Sequence, residues 1–292
     1  MTGISEIKSH IGAVEQTRKI TNAMHLIASA RIQRIIPQMD YNAKYLSRLL
    51  SSMRHILASS DTFDHPYLHD RGDKRRVFIV AAGDKGMVGS YNADILKFAL
   101  KHIEDSPDRY IIAVGVEAVR FFEKHKIKVD QQVLGASQDP SLFYARHIMQ
   151  DVFRLYDTRE ADSVYMIYMD YQNSVTYSPR IRRMLPINTD MISGDDIMKY
   201  RDVGMIYHPS PDAAFRLLAP QFVLGQIHAD LMQAYCSEHC ARMNAMQSAT
   251  KNADELLGNL KSAYNIARQA QITQEITEIT SAAMAQTAKE AY

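Results

Sequence analysis

An α-helix interior tolerates proline worst of all residues, because proline lacks the backbone donor and its ring crowds the preceding turn. After Pro220 this chain contains no proline through to Tyr292. The interval is 72 residues (292 − 220), or about 108 Å if wholly helical at 1.5 Å per residue. An ordinary globular helix is far shorter. Small and apolar residues recur along the interval at alternating spacings of three and four: Met246, Ala249, Ala253, Leu256, Leu260, Ala263, Ala267, Ala270 and Gln274. That alternation marks a left-handed coiled coil. Many stripe positions are alanine, which permits close approach but buries less area per turn than leucine. A long, thin helix of this kind needs a partner helix, and its low intrinsic stability suggests that something else surrounds it.

The partner is predicted at the other end of the chain. Ile4, Ile7, Ile11 and Val14 repeat at helical spacing, Arg18 interrupts, and Thr21, Met24 and Ile27 continue the phase. Pro37 predicts a kink or break. Beyond it Tyr41, Tyr45, Leu49, Met53 and Ile56 restart a stripe. Between the helical ends the period changes. RVFIVAA (76–82), YIIAVG (110–115) and SVYMIYMDY (163–171) read as strands, and RIRRMLPI (180–187) as an edge strand ending near Pro186. NADILKFALKHI (92–103), EAVRFFEKH (117–125) and a segment near 139–156 read as helices. This alternation predicts a layered, Rossmann-like α/β domain with a mostly parallel sheet. The expected organisation is a helix over 1–58, an α/β domain over 74–210 and a helix over 211–292. The two ends pair as an antiparallel coiled coil, with the three-layer α/β domain inserted between them.

Composition narrows the function. The formal net charge is +1, which gives no general pull toward nucleic acid or anionic lipid. The first zone through Arg54 carries eight Lys/Arg against three Asp/Glu. Arg18, Lys19, Arg31 and Arg34 there lack the interleaved aromatics of a single-strand binder. They read as a solvated face or as contacts with acidic protein surfaces. The densest apolar runs, VFIVAAG (77–83) and VYMIYM (164–169), are too short to cross a bilayer. The N-terminus does not read as a secretory signal.

Motifs that carry chemistry are weak. GDKGMVGS (83–90) follows a strand, but its glycines are spaced G-x-x-G-x-x-G. It matches neither the dinucleotide fingerprint nor the phosphate loop, and Lys85 lies too early for the latter. A tight strand-to-helix turn is the better reading. CSEHC (236–240) puts Cys236, His239 and Cys240 on one helical face. A zinc site usually draws four ligands from more than one element, so buried thiols are expected instead. His10, His25, His208 and His228 stand in no ligand pattern, and Asp170, Asp195 and Asp196 have no matched base. No cofactor, metal or catalytic site is expected. The polar residues Gln269, Thr273, Gln274, Glu275 and Glu278 cover several faces of the terminal helix, so different partners can meet different surfaces.

Two passages carry a resemblance: ISEIKSHIGAVEQTRKITNAMHLIASARIQR (4–34) and SEHCARMNAMQSATKNADELLGNLKSAYNIARQAQITQEITEITSAA (237–283). With VFIVAAGDKGMVGSYNADI (77–95) between them, the chain resembles the gamma subunits of F-type ATP synthases, the central stalk of a rotary motor. The resemblance implies the antiparallel coiled coil and the inserted domain. It also implies a hexamer of alpha and beta subunits around the upper coil, with the epsilon subunit and the c-ring at the lower part. The implied place is peripheral, on the cytoplasmic face of a bacterial plasma membrane, with membrane association through partners only. Met24 matches the methionine that faces the beta subunit's acidic loop, and Arg242 the arginine of the same coupling region. Gln269, Thr273 and Glu275 match polar positions that grip the hexamer; Arg268 belongs to the same block, and Glu278 lies one turn beyond, with an implied part in coupling in the lower or middle shaft. Three departures stand out: Ser90 replaces a glycine, Lys44 stands where a proline is expected, and the chain ends in AQTAKEAY. The alternatives are a coiled-coil adaptor that does not rotate and an α/β enzyme with a helical dimerisation arm.

Overall fold

The computed structural model of the chain describes residues 3–58, 63–188 and 207–290, with side chains to residue 284. Asp195, Asp196 and Tyr292 lie outside the described residues. The element order is α1 (Ile4–Ala58), β1 (Arg75–Ala81), α2 (Tyr91–Glu104), β2 (Asp108–Val114), α3 (Val116–Lys124), β3 (Gln131–Val133), α4 (Leu142–Asp157), β4 (Ser163–Tyr171), β5 (Tyr177–Leu185) and α5 (Pro211–Glu290). These elements fall into two units, residues 28–243 and residues 1–27 with 244–292.

In the larger unit the sheet order is β3-β2-β1-β4-β5. The first four strands are parallel, and β5 runs antiparallel along the β4 edge. Central parallel strands are covered on both faces, which is why VFIVA reads as an unbroken apolar run. Side chains alternate across the sheet. Val77, Ile79, Ile112, Val164 and Met166 pack with α4 and with Met53, Ile56, Phe215, Ile227 and Leu231 of α1 and α5. Phe78, Val80, Ile111, Ala113 and Ile167 pack with α2 and α3. The result is three layers, as expected. Gly115 carries the β2-to-α3 turn at φ +93°, where a Cβ would stand 2.2 Å from the Ala82 carbonyl oxygen. No other residue fits that backbone. Strand β3 was not foreseen, because three residues with two glutamines carry no strand period.

Pro37 does not break α1, which runs unbroken from Ile4 to Ala58. From Ala28 the covered residues are Ile32, Ile35, Met39, Asn42, Leu46, Leu49, Met53 and Ile56, at regular spacings of four and three. Pro37 falls on the solvent side of this stripe, where the carbonyl it deprives of a partner can turn to water. Tyr41 and Tyr45, expected to restart the stripe, are exposed, Tyr41 by 72%. The phase is never reset, so Asn42 and Leu46 take their places; the Asn42 amide donates to the Gly225 carbonyl at 3.0 Å. Pro220 likewise lies inside the continuous α5.

The smaller unit pairs the start of α1 with the later part of α5. Val14, Ala253 and Leu257 form its buried core, with Ile11 and Leu260 packed against them. Thr21 Oγ1 lies 2.8 Å from Thr250 Oγ1. Arg18 meets Asp254 at 2.5 Å and Glu15 meets Lys261 at 3.7 Å. Positions rise along one helix as they fall along the other, so the pair is antiparallel. The seam corrects the predicted stripe. Leu256 is 40% exposed while Leu257 is 6% exposed, and the covered series is Met246, Thr250, Ala253, Leu257, Leu260, Tyr264 and Ala267. Adjacent apolar residues at 256–257 and 263–264 satisfy the period equally well; contact with α1 selects the second of each pair. Ile27 is likewise exposed rather than inward.

Candidate functional site

In doubly wound sheets, ligands bind beyond the carboxyl ends of the strands where the strand order reverses. Here that place is the end of β1, flanked by β2 and β4, and the turn 83–90 leaves from it. The turn is tight: Met87 and Gly89 have φ +62° and +57°, and the Gly83 N–H donates to Asn92 Oδ1 at 2.9 Å. Helix α5 fills the position from above. A Cβ on Gly83 would stand 3.1 Å from the carboxyl carbon of Glu238. The Arg242 guanidinium donates to Glu238 Oε1 at 2.6 Å and to the Gly86 carbonyl at 3.5 Å, and lies 3.2 Å from His239 Nδ1. Arg31 approaches the other ring nitrogen of His239 at 3.5 Å.

The electrostatics follow from burial. Glu238 is pushed above the usual carboxylate range by desolvation, and Arg242 pulls it back. His239 is held down to about 3 by burial, with Arg242 and Arg31 adding to the effect. The imidazole is therefore neutral and the group is an Arg–Glu pair sealed over the turn. Arg242, which the resemblance assigns to a coupling region, has its side chain mostly buried in this cluster. Glu238 had gone unnoticed in the sequence, although its i, i+4 relation to Arg242 was a readable signal.

Cys236 and Cys240 are buried, and the Cys240 thiol donates to the Ser174 carbonyl at 2.8 Å. Burial pushes the Cys236 thiol up to about 12, which makes it an inert packing residue. Asp170 pairs with Arg180 at 3.3 Å. A second buried pair also escaped the sequence reading: Asp230 meets Arg182 at 3.1 Å, and desolvation raises its carboxyl to about 7. Its signal was an aspartate inside the apolar stretch VLGQIHADLM.

The remaining predicted positions lie in the smaller unit. Met24 is half-buried. Pairing with α1 gives out near its first residues, and from Arg268 to Met284 every residue of α5 is exposed. Arg268, Gln269, Thr273, Glu275 and Glu278 all stand on this bare stretch. Neighbouring turns are tied by Gln271–Glu275 at 2.8 Å and Gln274–Glu278 at 2.9 Å. Ile272, Ile276 and Ile279, at i, i+4 and i+7, share one face and are exposed. Gln274 and Glu278 occupy another, so the stretch has unlike sides.

Comparison with known proteins covers the same span. Residues 3–285 match the ATP synthase family profile. The chain is 33% identical over 293 residues to the ATP synthase gamma chain of Acetivibrio thermocellus, covering 98% of this chain and 99% of that one. It is 35% identical over 288 residues to that of Ruminiclostridium cellulolyticum, covering 96% and 97%. In fold it is similar to a chain of the Euglena gracilis mitochondrial ATP synthase in the structure of its OSCP/F1/c-ring, with TM-score 0.71, 16% identity and coverage of 99% and 96%. The Euglena rotor structure gives TM-score 0.65 at 15% identity, covering 92% and 98%. The chain belongs to the gamma-chain family of ATP synthases.

Proposed function

We propose that this chain, the central-stalk subunit of an F-type ATP synthase, transmits torque by presenting unlike faces of its bare C-terminal helix to a surrounding ring of subunits. The carrying observation is the stretch from Arg268 to Met284, exposed on all sides. Most helical stability in proteins comes from packing an amphipathic face, and an exposed isoleucine stripe beside glutamine and glutamate calls for a partner that encloses it. Alternating alpha and beta subunits fit that place; the epsilon subunit and the c-ring are the partners of the rest. No helix among the described residues is long and apolar enough to cross a membrane. Attachment to the cytoplasmic face of a bacterial plasma membrane therefore runs through those partners.

Rotation works as a population shift. A rotor orientation changes the balance of beta-subunit states only through its differential affinity for them. Ion flow turns the shaft, and each beta site meets Gln269, Thr273, Glu275 and Glu278 in turn. The chemistry belongs to the hexamer. In this chain the usual ligand position of an α/β sheet is filled by Glu238 and Arg242, which argues against the independent-enzyme reading.

The test is purification through a tag on this chain, followed by ATP-driven ion pumping. Alpha, beta, epsilon and c chains should co-purify, and pumping should accompany hydrolysis. Recovery without a nucleotide-hydrolysing ring would overturn the proposal. Met24→Lys adds an ammonium beside an acidic loop of the hexamer and should lower coupled turnover. An unchanged ratio of pumping to hydrolysis would count against that contact.

A further inference from the structure

We infer that the chain carries a binding site for a phosphate-bearing anion, in the cavity formed by Arg71, Arg75 and Arg159. The cavity has a volume of about 370 Å³ and is also lined by Pro66, His69 and Asp162. That volume falls within the ordinary range of small-ligand pockets. It lies at the opposite end of β1 from the turn sealed by Arg242, since Arg75 opens that strand.

Two of the guanidinium groups are held in place by the protein. Arg75 donates through Nη2 to Asp162 Oδ1 at 2.9 Å and through Nε to Oδ2 at 3.4 Å. Its backbone N–H donates to the same carboxylate at 3.0 Å. Arg71 donates to the Tyr156 carbonyl at 2.7 Å, and its guanidinium carbon sits 4.0 Å from the centre of the Tyr156 ring. His69 is engaged by Asp64. Asp162 is the sole carboxylate of the lining, against three arginines.

The third arginine decides the reading. Arg159 follows the end of α4 and has φ +61°. This is the left-handed position after a helix, which glycine usually fills because a Cβ is disfavoured there. Its N–H donates to the Tyr156 carbonyl at 3.3 Å and the Glu160 N–H to the Leu155 carbonyl at 2.9 Å. The chain places an exposed arginine in a backbone conformation that favours glycine, beside two arginines already fixed by other groups. Among the ion pairs of the described residues none involves Arg159. Backbone strain of this kind concentrates where a side chain has work to do. Clustered planar guanidinium groups match phosphate oxygens better than any single-point ligand. The shared chemistry is a phosphate group, free or as a lipid headgroup.

Arg159→Gly separates binding from folding, because glycine suits the backbone while the guanidinium is lost; Arg159→Asn is a second residue that accepts it. The full-length chain and both variants are titrated with inorganic phosphate by calorimetry, against chloride at equal ionic strength. They are also sedimented with phosphatidylglycerol and phosphatidylcholine vesicles. Saturable phosphate binding that weakens about ten-fold or more in the variants, the scale of one charged hydrogen bond, supports a free phosphate ligand. Selective sedimentation with phosphatidylglycerol, lost in the variants, supports a lipid headgroup. Both variants should melt no lower than the parent. A parent that binds neither probe, or variants that bind as well as the parent, would overturn the inference.

Discussion

Helix α5 passes through two opposite environments. Between Phe222 and Arg242 it is covered nearly all round: Val223, Ile227, Leu231, Met232, Cys236 and Cys240 are buried, and so are Asp230, Glu238 and Arg242. Between Arg268 and Met284 nothing covers it. Both stretches are helical, but for different reasons. The first is held by packing, which can force even charged residues inward once they are paired. The second has only intrinsic propensity and side-chain pairs across one turn. Three of its threonines, Thr273, Thr277 and Thr280, donate to carbonyls four residues back, a bond that slightly weakens a helix. A helix designed to stand free would avoid them, so the contrast points to a stretch completed by other subunits.

Substitutions in the full-length chain sharpen that contrast. Arg242→Ala should cost most, about 3–5 kcal/mol, because it leaves buried Glu238 unpaired. Denaturant unfolding measures it, and a midpoint equal to the parent's would mean the cluster is not sealed. Ile227→Ala, at a fully buried site, should cost about 2–5 kcal/mol. Ile276→Ala should stay within about 0.5 kcal/mol in the isolated chain and act only in the assembled complex. Equal losses would erase the difference between the two stretches.

Leu257→Ala should lower thermal stability more than Leu256→Ala, since Leu257 is in the seam. The reverse order in helix melting by circular dichroism would restore the stripe predicted from spacing alone. Asp230→Asn tests the buried pair through pH. Between about pH 4 and about pH 7 the folded chain keeps a proton on Asp230 that the unfolded chain has released. Stability from this group therefore falls as pH rises across that window. The variant should lose this slope in urea midpoints taken across the same window. His239 acts in the opposite sense, losing stability as pH falls below its ordinary 6.5, so the comparison is variant against parent at each pH. The smallest effect is Gln274→Ala, a few tenths of a kcal/mol for one pair on a helix surface. A large loss there would mean the bare stretch is rigid by itself.

Much of the architecture was legible. Strand β4 coincides with SVYMIYMDY, and β5 ends beside Pro186. The helices α2, α3 and α4 fall where the apolar period changes from two to 3.6. What escaped was register and accessibility. Pro37 was read as a punctuation mark, but its place on the solvent face of α1 let the stripe run past it. The burial of Arg242 escaped, because an arginine in a helical pattern does not reveal that Gly83 and Gly86 lie beneath its cluster. Arg159 carried no sequence signal, since its positive φ exists only in the folded backbone.

The order of elements, the two helical ends and the alternation of the central domain came from local chemistry: side-chain period, proline placement and turn residues act on neighbours a few positions away. The tertiary structure alone decided that Leu257 rather than Leu256 enters the seam, that Glu238 and Arg242 are sealed together over the turn, and that Arg159 lines one cavity with Arg71 and Arg75. Each of those depends on which surface arrives from a distant part of the chain, and burial, unlike periodicity, is a property of both surfaces at once.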